Sequence, residues 1–450
     1  MLLRIFNRFQ TTNQLLLLVS KRKISIKIND QSLINNEQRI DIAIFGGGII
    51  GTSIGYFIKD NASINLGVTV FEKDPCYTRA STTLSVGGIR QQFSLPENIQ
   101  MSLFTAKFLQ NIQQLSILDQ PIPDVAYQQK GYLTLADSQQ MKILKENFLV
   151  QKKFGASLDW LNNEQLTQKF PWINCNGIDA GVFGTRNEGW FDPYRLLMAI
   201  KHKAKFLGVQ FVHANVVGFH HQRDDRKKCQ KVIVQYPDGN QIQIKFDIGV
   251  VCTGYDSKQL AKYLGYEQRQ INLPIEPRKR YVFVFDCRNF DQNQSSIDCE
   301  NHFPFLIDKS GVYCRREGRS NFICGRSPPT LVEEPEIDNL DVDYSYFDQF
   351  IHPILAERIP CFEALKIKSA WAGFYDYNHF DQNPIIGRDP FYSNIYWAAG
   401  FSGHGIQMGP AIGNAMMELI LNNRFETINL DRFGWPRILE NRPLKEQNIY

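Results

Sequence analysis

Apolar runs separated by glycine set the pattern of this chain. RIDIAIF, from Arg39 to Phe45, predicts a short strand, and IIGTSIGYFIKD, from Ile49 to Asp60, carries apolar residues at helical spacing. VTVFE, from Val68 to Glu72, predicts a second buried strand. Much later, Asp192 supplies an N-cap and Pro193 a first helical residue for a helix that ends near Gly208. A strand over Val209 to Phe219 follows, and the stretch from Gly239 to Gly254 predicts two strands, the second buried. PIEPRKRYVFVFD and GVYCRREGRSNFICG read as neighbouring strands elsewhere. The last regular pieces are a strand from Ile395 to Ala399, the glycine run GFSGHGIQMG, and a helix opened by Pro410. Strand–helix–strand text that stops and resumes predicts a domain built from separated segments. His220 to Gln230 reads as a solvated hairpin tip and Cys287 to Asn301 as a loop. No internal repeat is visible.

Composition narrows the class. The chain has 450 residues, 43% of them hydrophobic and 21% charged, which supports a sizeable core. A net charge of +4 with no basic stripe argues against nucleic acid. Nine cysteines and eight histidines show no metal-ligand spacing, so no metal is expected. Residues 1–38 differ from the rest. Arg4, Arg8, Lys21, Arg22, Lys23 and Lys27 all precede the first acid, Asp30, as in a mitochondrial presequence. A secretory signal is the rival, but the apolar run Leu15 to Val19 is short. It is also far too short to span a bilayer of about 30 Å, and no other stretch approaches that length.

Glycine carries the chemistry. Gly46, Gly47 and Gly48, with Ile49 and Gly51, give G-x-G-x-x-G between a strand and a helix, and Glu72 follows Gly51 by 21 positions. Gly46 permits the tight turn, Gly48 lets a pyrophosphate approach the backbone, and Gly51 lets helix and strand pack closely. Glu72, followed by Lys73, suits the ribose hydroxyls of an adenosine. NAD and FAD both use this unit. A second small-residue segment contains Ser81, Thr82, Ser85, Gly87 and Gly88, and can donate N–H and O–H bonds along a diphosphate and ribityl chain. Further candidates for cofactor contact are Val216, Thr253 and Gly254, then Gly400, Gly403, His404, Gly405 and Ile406. Three glycine-rich segments favour FAD over NAD.

The pieces GGGIIG, FEKD, STTLSVGG, GWFDP, CTG and GFSGHG, in this order from Arg39 to Leu430, resemble the D-amino-acid oxidase and sarcosine oxidase superfamily. The longer stretches LSVGGIRQQFSLPENIQ, KFPWIN, EPRKRYVFV and SAWAGFYDYNHFDQNPIIG resemble a mitochondrial branch associated with assembly of respiratory complex I. The resemblance implies an α/β fold of the D-amino-acid oxidase type: a Rossmann-like FAD-binding domain interleaved with an antiparallel-sheet substrate domain. FAD segments are then expected at 39–125, 180–268 and 370–430, substrate segments at 126–179 and 269–369, and a tail at 431–450. With the basic N-terminal stretch, the expected location is the mitochondrial matrix or the matrix face of the inner membrane, with a peripheral membrane contact left open. Implied partners are complex I subunits or assembly intermediates and a small amine substrate.

Departures from the superfamily pattern bear on chemistry. Leu84 stands where some relatives attach FAD through His, and Gly373 where others use Cys, so FAD is expected to bind non-covalently. Arg90 matches a carboxylate-binding Arg, whereas Gln407 replaces its Lys partner. The oxygen-activating Lys falls loosely on Ile323. Tyr375 and Tyr377 wall a pocket or pack between domains, and His404 is read as a structural neighbour of the flavin. Arg90, Tyr375 and Gln407 are thus the candidate catalytic residues. The departures and the resemblance together favour a flavoprotein supporting complex I assembly or structure; the alternative is an active FAD-dependent dehydrogenase of a secondary amine or amino acid.

Overall fold

The computed structural model describes residues 39–447, apart from 62–64, 222–227, 289, 291–302, 319 and 329–333. The expected presequence (1–38), most of the hairpin tip and Cys299 lie outside the described residues. In chain order the strands of the first half are β1 (Arg39–Phe45), β2 (Val68–Glu72), β3 (Gly88–Ile89), β4 (Tyr132–Ala136), β5 (Leu158–Asn162), β6 (Ala180–Gly184), β7 (Gly189–Trp190), β8 (Gln210–His213) and β9 (Asn215–His221). The second half adds β10 (Cys229–Gln235), β11 (Gln241–Val251), β12 (Ile275–Asp286), β13 (Phe305–Ile307), β14 (Tyr313–Glu317), β15 (Asn321–Gly325), β16 (Lys366–Asn378), β17 (Ile385–Arg388) and β18 (Ile395–Ala399).

The first sheet runs β17-β18-β11-β1-β2-β8, with the β9–β10 hairpin branching from β11. β18, β11, β1, β2 and β8 are parallel neighbours, in register at Ile42↔Ile248, Ile42↔Val68 and Val70↔Phe211. Their apolar character follows from burial on both faces. Helix Ile49–Asn61 is buried from Ile49 to Ile58. It packs against helices Pro193–Phe206 and Gly405–Asn422. Glycine sets that last approach: a Cβ at Gly409 would lie 2.6 Å from Ile49, and one at Gly413 would lie 2.7 Å from both Ser53 and Phe57.

The second sheet runs β16-β12-β15-β14-β13-β4-β6-β5, antiparallel throughout except for β13 beside β4. β12 and β16 pair along their whole length, from Ile275↔Asn378 to Asp286↔Lys366. Phe283, Phe285, Phe322 and Phe362 fill its core with helices Tyr344–Phe350 and His352–Arg358.

Several expectations are corrected. β6 belongs to the second sheet, paired with β4 and β5, so the boundary expected at 180 falls too early. The boundary at 370 cuts β16, whose hydrogen bonding to β12 continues to Asn378. Val209 to Phe219 is two strands: β8 extends the parallel sheet and, past Ala214, β9 turns into the hairpin with β10. Gly239 to Gly254 holds one strand, β11. The last helix starts at Gly405, not Pro410. Pro410 therefore sits inside it, and its position is compatible with helix because only the bond to Ile406 is lost, one turn from the free end.

Candidate functional site

A cavity of about 1240 Å³ lies at the carboxyl ends of β1, β2 and β11 and reaches across to the second sheet. Ligands gather at this end of parallel sheets, where chain reversals leave a crevice. Gly46, Gly48 and Ile49 line it at the first turn, with Glu72, Lys73, Val216, Thr253 and Gly254 nearby. Gly46 has φ +104°, and a Cβ there would lie 2.4 Å from the Cys252 carbonyl. A Cβ at Gly48 would meet only the Thr82 hydroxyl, at 3.2 Å, and one at Gly254 would meet nothing within 4 Å. The positive end of the helix dipole, with no acid in the first turn, therefore borders a space suited to an anion.

Glu72 accepts from the Gly47 N–H at 2.7 Å and from the Asp74 N–H at 2.8 Å. Burial pushes its carboxyl above the usual range, against those two bonds. Lys73 pairs with Asp256 beside it. Ser81, Thr82, Ser85 and Gly88 line the next stretch of wall. Their hydroxyls also fasten the walls together. Ser81 donates to the Phe374 carbonyl at 2.5 Å, Thr82 accepts from the Ile49 N–H at 3.1 Å, and Ser85 accepts from the Gly87 N–H at 3.1 Å.

At the other end Arg90, Tyr375, Gly403, His404, Gly405, Ile406 and Gln407 line the cavity together. The Gln407 carboxamide oxygen accepts the Arg90 backbone N–H at 3.0 Å. The Arg90 guanidinium lies 4.6 Å from the Phe93 ring and 3.4 Å from His404 Nε2. Burial and the Arg90 charge push the His404 imidazolium down to about 3, so the ring is neutral. Burial pushes the Tyr375 phenol up to about 12, against the pull of Arg280. A Cβ at Gly403 would lie 3.8 Å from the Tyr375 ring.

Four candidates stand behind the wall rather than in it. Gly47 serves Glu72 through its N–H. A Cβ at Gly51 would lie 2.0 Å from the Gly46 carbonyl, and one at Gly87 would lie 2.0 Å from the Phe191 carbonyl. The Gly400 N–H donates to Asp376 at 2.6 Å. Leu84 and Gly373, from distant segments, do line the cavity and face each other: a Cβ at Gly373 would lie 3.0 Å from the Leu84 Cβ. Ile323 does not reach it; the residue is buried in β15 between β12 and β14. Tyr377 lines the cavity, with its ring 6.2 Å from that of Tyr375.

The sequence reading missed Arg280 and Glu334. Both line the cavity, joined by bonds of 2.7 Å and 3.0 Å, with Arg280 over the Tyr375 ring at 5.0 Å. Alternation along RKRYVFV was the available signal, since it puts Arg278 and Arg280 on one face. Asp376 was missed too. It accepts from Gly400 and Phe401 N–H groups at 2.6 Å and 3.1 Å and so anchors the last glycine run to β16. Among the described residues no group of three His, Cys, Asp or Glu could hold a metal, and no helix is long and apolar enough to cross a membrane.

These residues fit FAD. The cavity exceeds the ~300–1,000 Å³ of common small-molecule pockets, with a glycine cradle for diphosphate and a carboxylate at one end. A helix N-terminus closes the other. Residues 41–419 match the family model described as FAD dependent oxidoreductase. The chain is 43% identical over 433 residues to FAD-dependent oxidoreductase domain-containing protein 1 of Xenopus laevis, covering 92% of this chain and 85% of that protein. It is 24% identical over 399 residues to glycine oxidase of Bacillus licheniformis, covering 88% and 97%. L-proline dehydrogenase from P. horikoshii superposes with a TM-score of 0.76 at 25% identity, covering 90% of this chain and all of that one. The chain belongs to the FAD dependent oxidoreductase family, the D-amino-acid oxidase type of flavoprotein related to the glycine and sarcosine oxidases.

Proposed function

We propose that this protein holds FAD non-covalently and oxidises the C–N bond of an amine or amino acid at the Arg90 end of the cavity. One observation carries the reading: a buried guanidinium, a neutral imidazole and a protonated phenol line the same end of a cofactor-sized cavity. FAD, when bound, supplies a hydride acceptor. The chain's own groups orient and exclude. Arg90 suits a substrate carboxylate, and Gln407 fixes its backbone. Tyr375 keeps its proton and can donate a hydrogen bond to a bound ligand. His404 adds no charge, so it does not compete with Arg90 for the anion. Leu84 and Gly373 offer no nucleophile to the cofactor, which supports non-covalent binding. The test is anaerobic mixing of purified protein with glycine, sarcosine, L-proline and N-methylphenylalanine. Bleaching of the yellow band by any of them supports turnover; a panel that leaves it unchanged while dithionite bleaches it opposes turnover.

A second reading places the protein in the mitochondrial matrix, or at the matrix face of the inner membrane, supporting assembly or structure of respiratory complex I. Two features favour it: the basic, acid-poor first 29 residues, and the neutral Gln407, which stands where the superfamily resemblance implies a Lys. Capture of complex I subunits by tagged protein from mitochondria, retained in an Arg90→Met variant, supports it. Capture that fails in both opposes it.

A further inference from the structure

Just past β2, the chain from Asp74 to Arg79 forms a strap along the cavity, and one carboxylate builds it. Asp74 accepts from the Cys76 N–H at 3.1 Å, the Thr78 N–H at 2.6 Å and the Thr78 hydroxyl at 2.8 Å. The Arg79 N–H bonds to it as well. Tyr77 turns the chain at φ +56°; its ring is buried and its hydroxyl accepts from Lys201 Nζ at 2.7 Å. Asp74, Thr78 and Arg79 line the cavity. The shape of the strap is therefore set by the protein's own contacts.

The Arg79 side chain is exposed and lies over the Phe374 ring at 5.6 Å. Among the described residues its guanidinium has no carboxylate partner. Two other cations of the lining are spent: Lys73 is paired with Asp256, and Arg280 with Glu334. Phe374 meets Tyr255 edge-on at 5.5 Å, and the Lys73 ammonium lies 5.5 Å from the Tyr255 ring. Burial and Asp256 push the Tyr255 phenol up, while Lys73 and Arg79 pull it back. Both cations thus act on one ring.

The glycine cradle adjoins this group through two segments. Thr82, three residues past Arg79, accepts the Ile49 N–H at 3.1 Å. Thr253, two residues before Tyr255, has its Cα 3.1 Å from where a Cβ at Gly46 would stand. A guanidinium stacked through its face keeps its N–H edge for paired bonds to phosphate oxygens.

We propose that Arg79 binds the diphosphate of FAD from the open side of the cavity. The helix that starts at Ile49 offers a dipole end, and Arg79 adds a full charge. Because Asp74 and Tyr77 already hold the strap, little backbone freedom is lost on binding. The proposal rests on FAD as the cofactor and not on turnover.

The experiment removes FAD from the full-length protein and titrates it back, following flavin fluorescence. Arg79→Gln is expected to raise the dissociation constant at least about ten-fold at about 50 mM NaCl, and the gap to narrow to about three-fold at about 500 mM, because salt screens an exposed charge. Arg79→Lys keeps the charge without the fork and is expected to fall between the two. An Arg79→Gln variant that binds FAD within about two-fold of wild type, or a loss that salt leaves unchanged, overturns the proposal while leaving the cofactor in place. A wild-type protein that takes up no FAD overturns the proposal and the cofactor together.

Discussion

The Gln407 carboxamide oxygen accepts the Arg90 backbone N–H at 3.0 Å, joining residues 317 positions apart. Both residues are buried. Position 407 is thus a clamp on the segment that carries Arg90, and it supplies no charge of its own. Gln407→Leu keeps the bulk and removes the acceptor. An orphaned buried N–H costs about 1–3 kcal/mol. Urea unfolding of wild type and variant is expected to show a loss of that size, with weaker binding of carboxylate ligands.

Gly46→Ala tests the cradle. The new methyl must fit at φ +104° and 2.4 Å from the Cys252 carbonyl. Backbone has to shift, and the turn that faces the diphosphate shifts with it. The variant is expected to purify with less than about a tenth of the FAD content of wild type, since a lost 1.4 kcal/mol is already ten-fold. Absorbance of released flavin per mole of protein measures this.

Glu188 gives the fold a pH signature. Its carboxylate accepts from the Gln91 N–H at 2.6 Å and from Gln92 Nε2 at 2.9 Å. Burial raises its pKa to about 7, opposed by those bonds and by Arg90. Folding then favours the protonated form, so this contribution is fully present below about pH 4.5 and is lost as pH rises through 7. The size is on the order of 3 kcal/mol. Asp376, raised to about 6 by burial, slopes the same way. Glu188→Gln is expected to flatten the decline in denaturant midpoint between pH 4.5 and 7 without removing it. An unchanged slope in the variant argues against the Glu188 share.

The tail from 431 onward, irregular in sequence, is fastened to the core. Arg437 pairs with Asp381 through bonds of 2.7 Å and 3.2 Å, and both side chains are buried. Breaking a buried pair from one side costs about 3–5 kcal/mol. Arg437→Ala is expected to lower the unfolding free energy by that amount. Glu446 adds a second fastening, accepting from the Ser94 N–H at 2.6 Å near the start of helix Pro96–Gln110.

The cradle was legible because its chemistry is local: Gly46, Gly48, Ile49 and Glu72 lie within one strand–helix–strand unit. Arg280 and Glu334 were not, because their pairing crosses 54 positions and depends on which face of β12 meets the cavity. The Tyr132–Phe305 ring stack escaped notice for the same reason, since the two residues become neighbours only through sheet pairing. Pro410 misled because proline commonly opens helices, whereas here Gly405 starts the helix next to the cavity. Arg437 lies in a stretch without periodicity, and its importance comes from burial alone.

The most direct measurement compares anaerobic flavin reduction in wild type and Arg90→Met, matched for FAD content, across the panel of glycine, sarcosine, L-proline and N-methylphenylalanine. The wild-type band is expected to bleach and the variant to do so at least about 100-fold more slowly, as loss of a charged contact of about 2.7 kcal/mol requires. Equal rates in the two proteins, or an inert wild-type flavin across the whole amine panel, would contradict the assignment of Arg90 and its surroundings as the reacting end of the site.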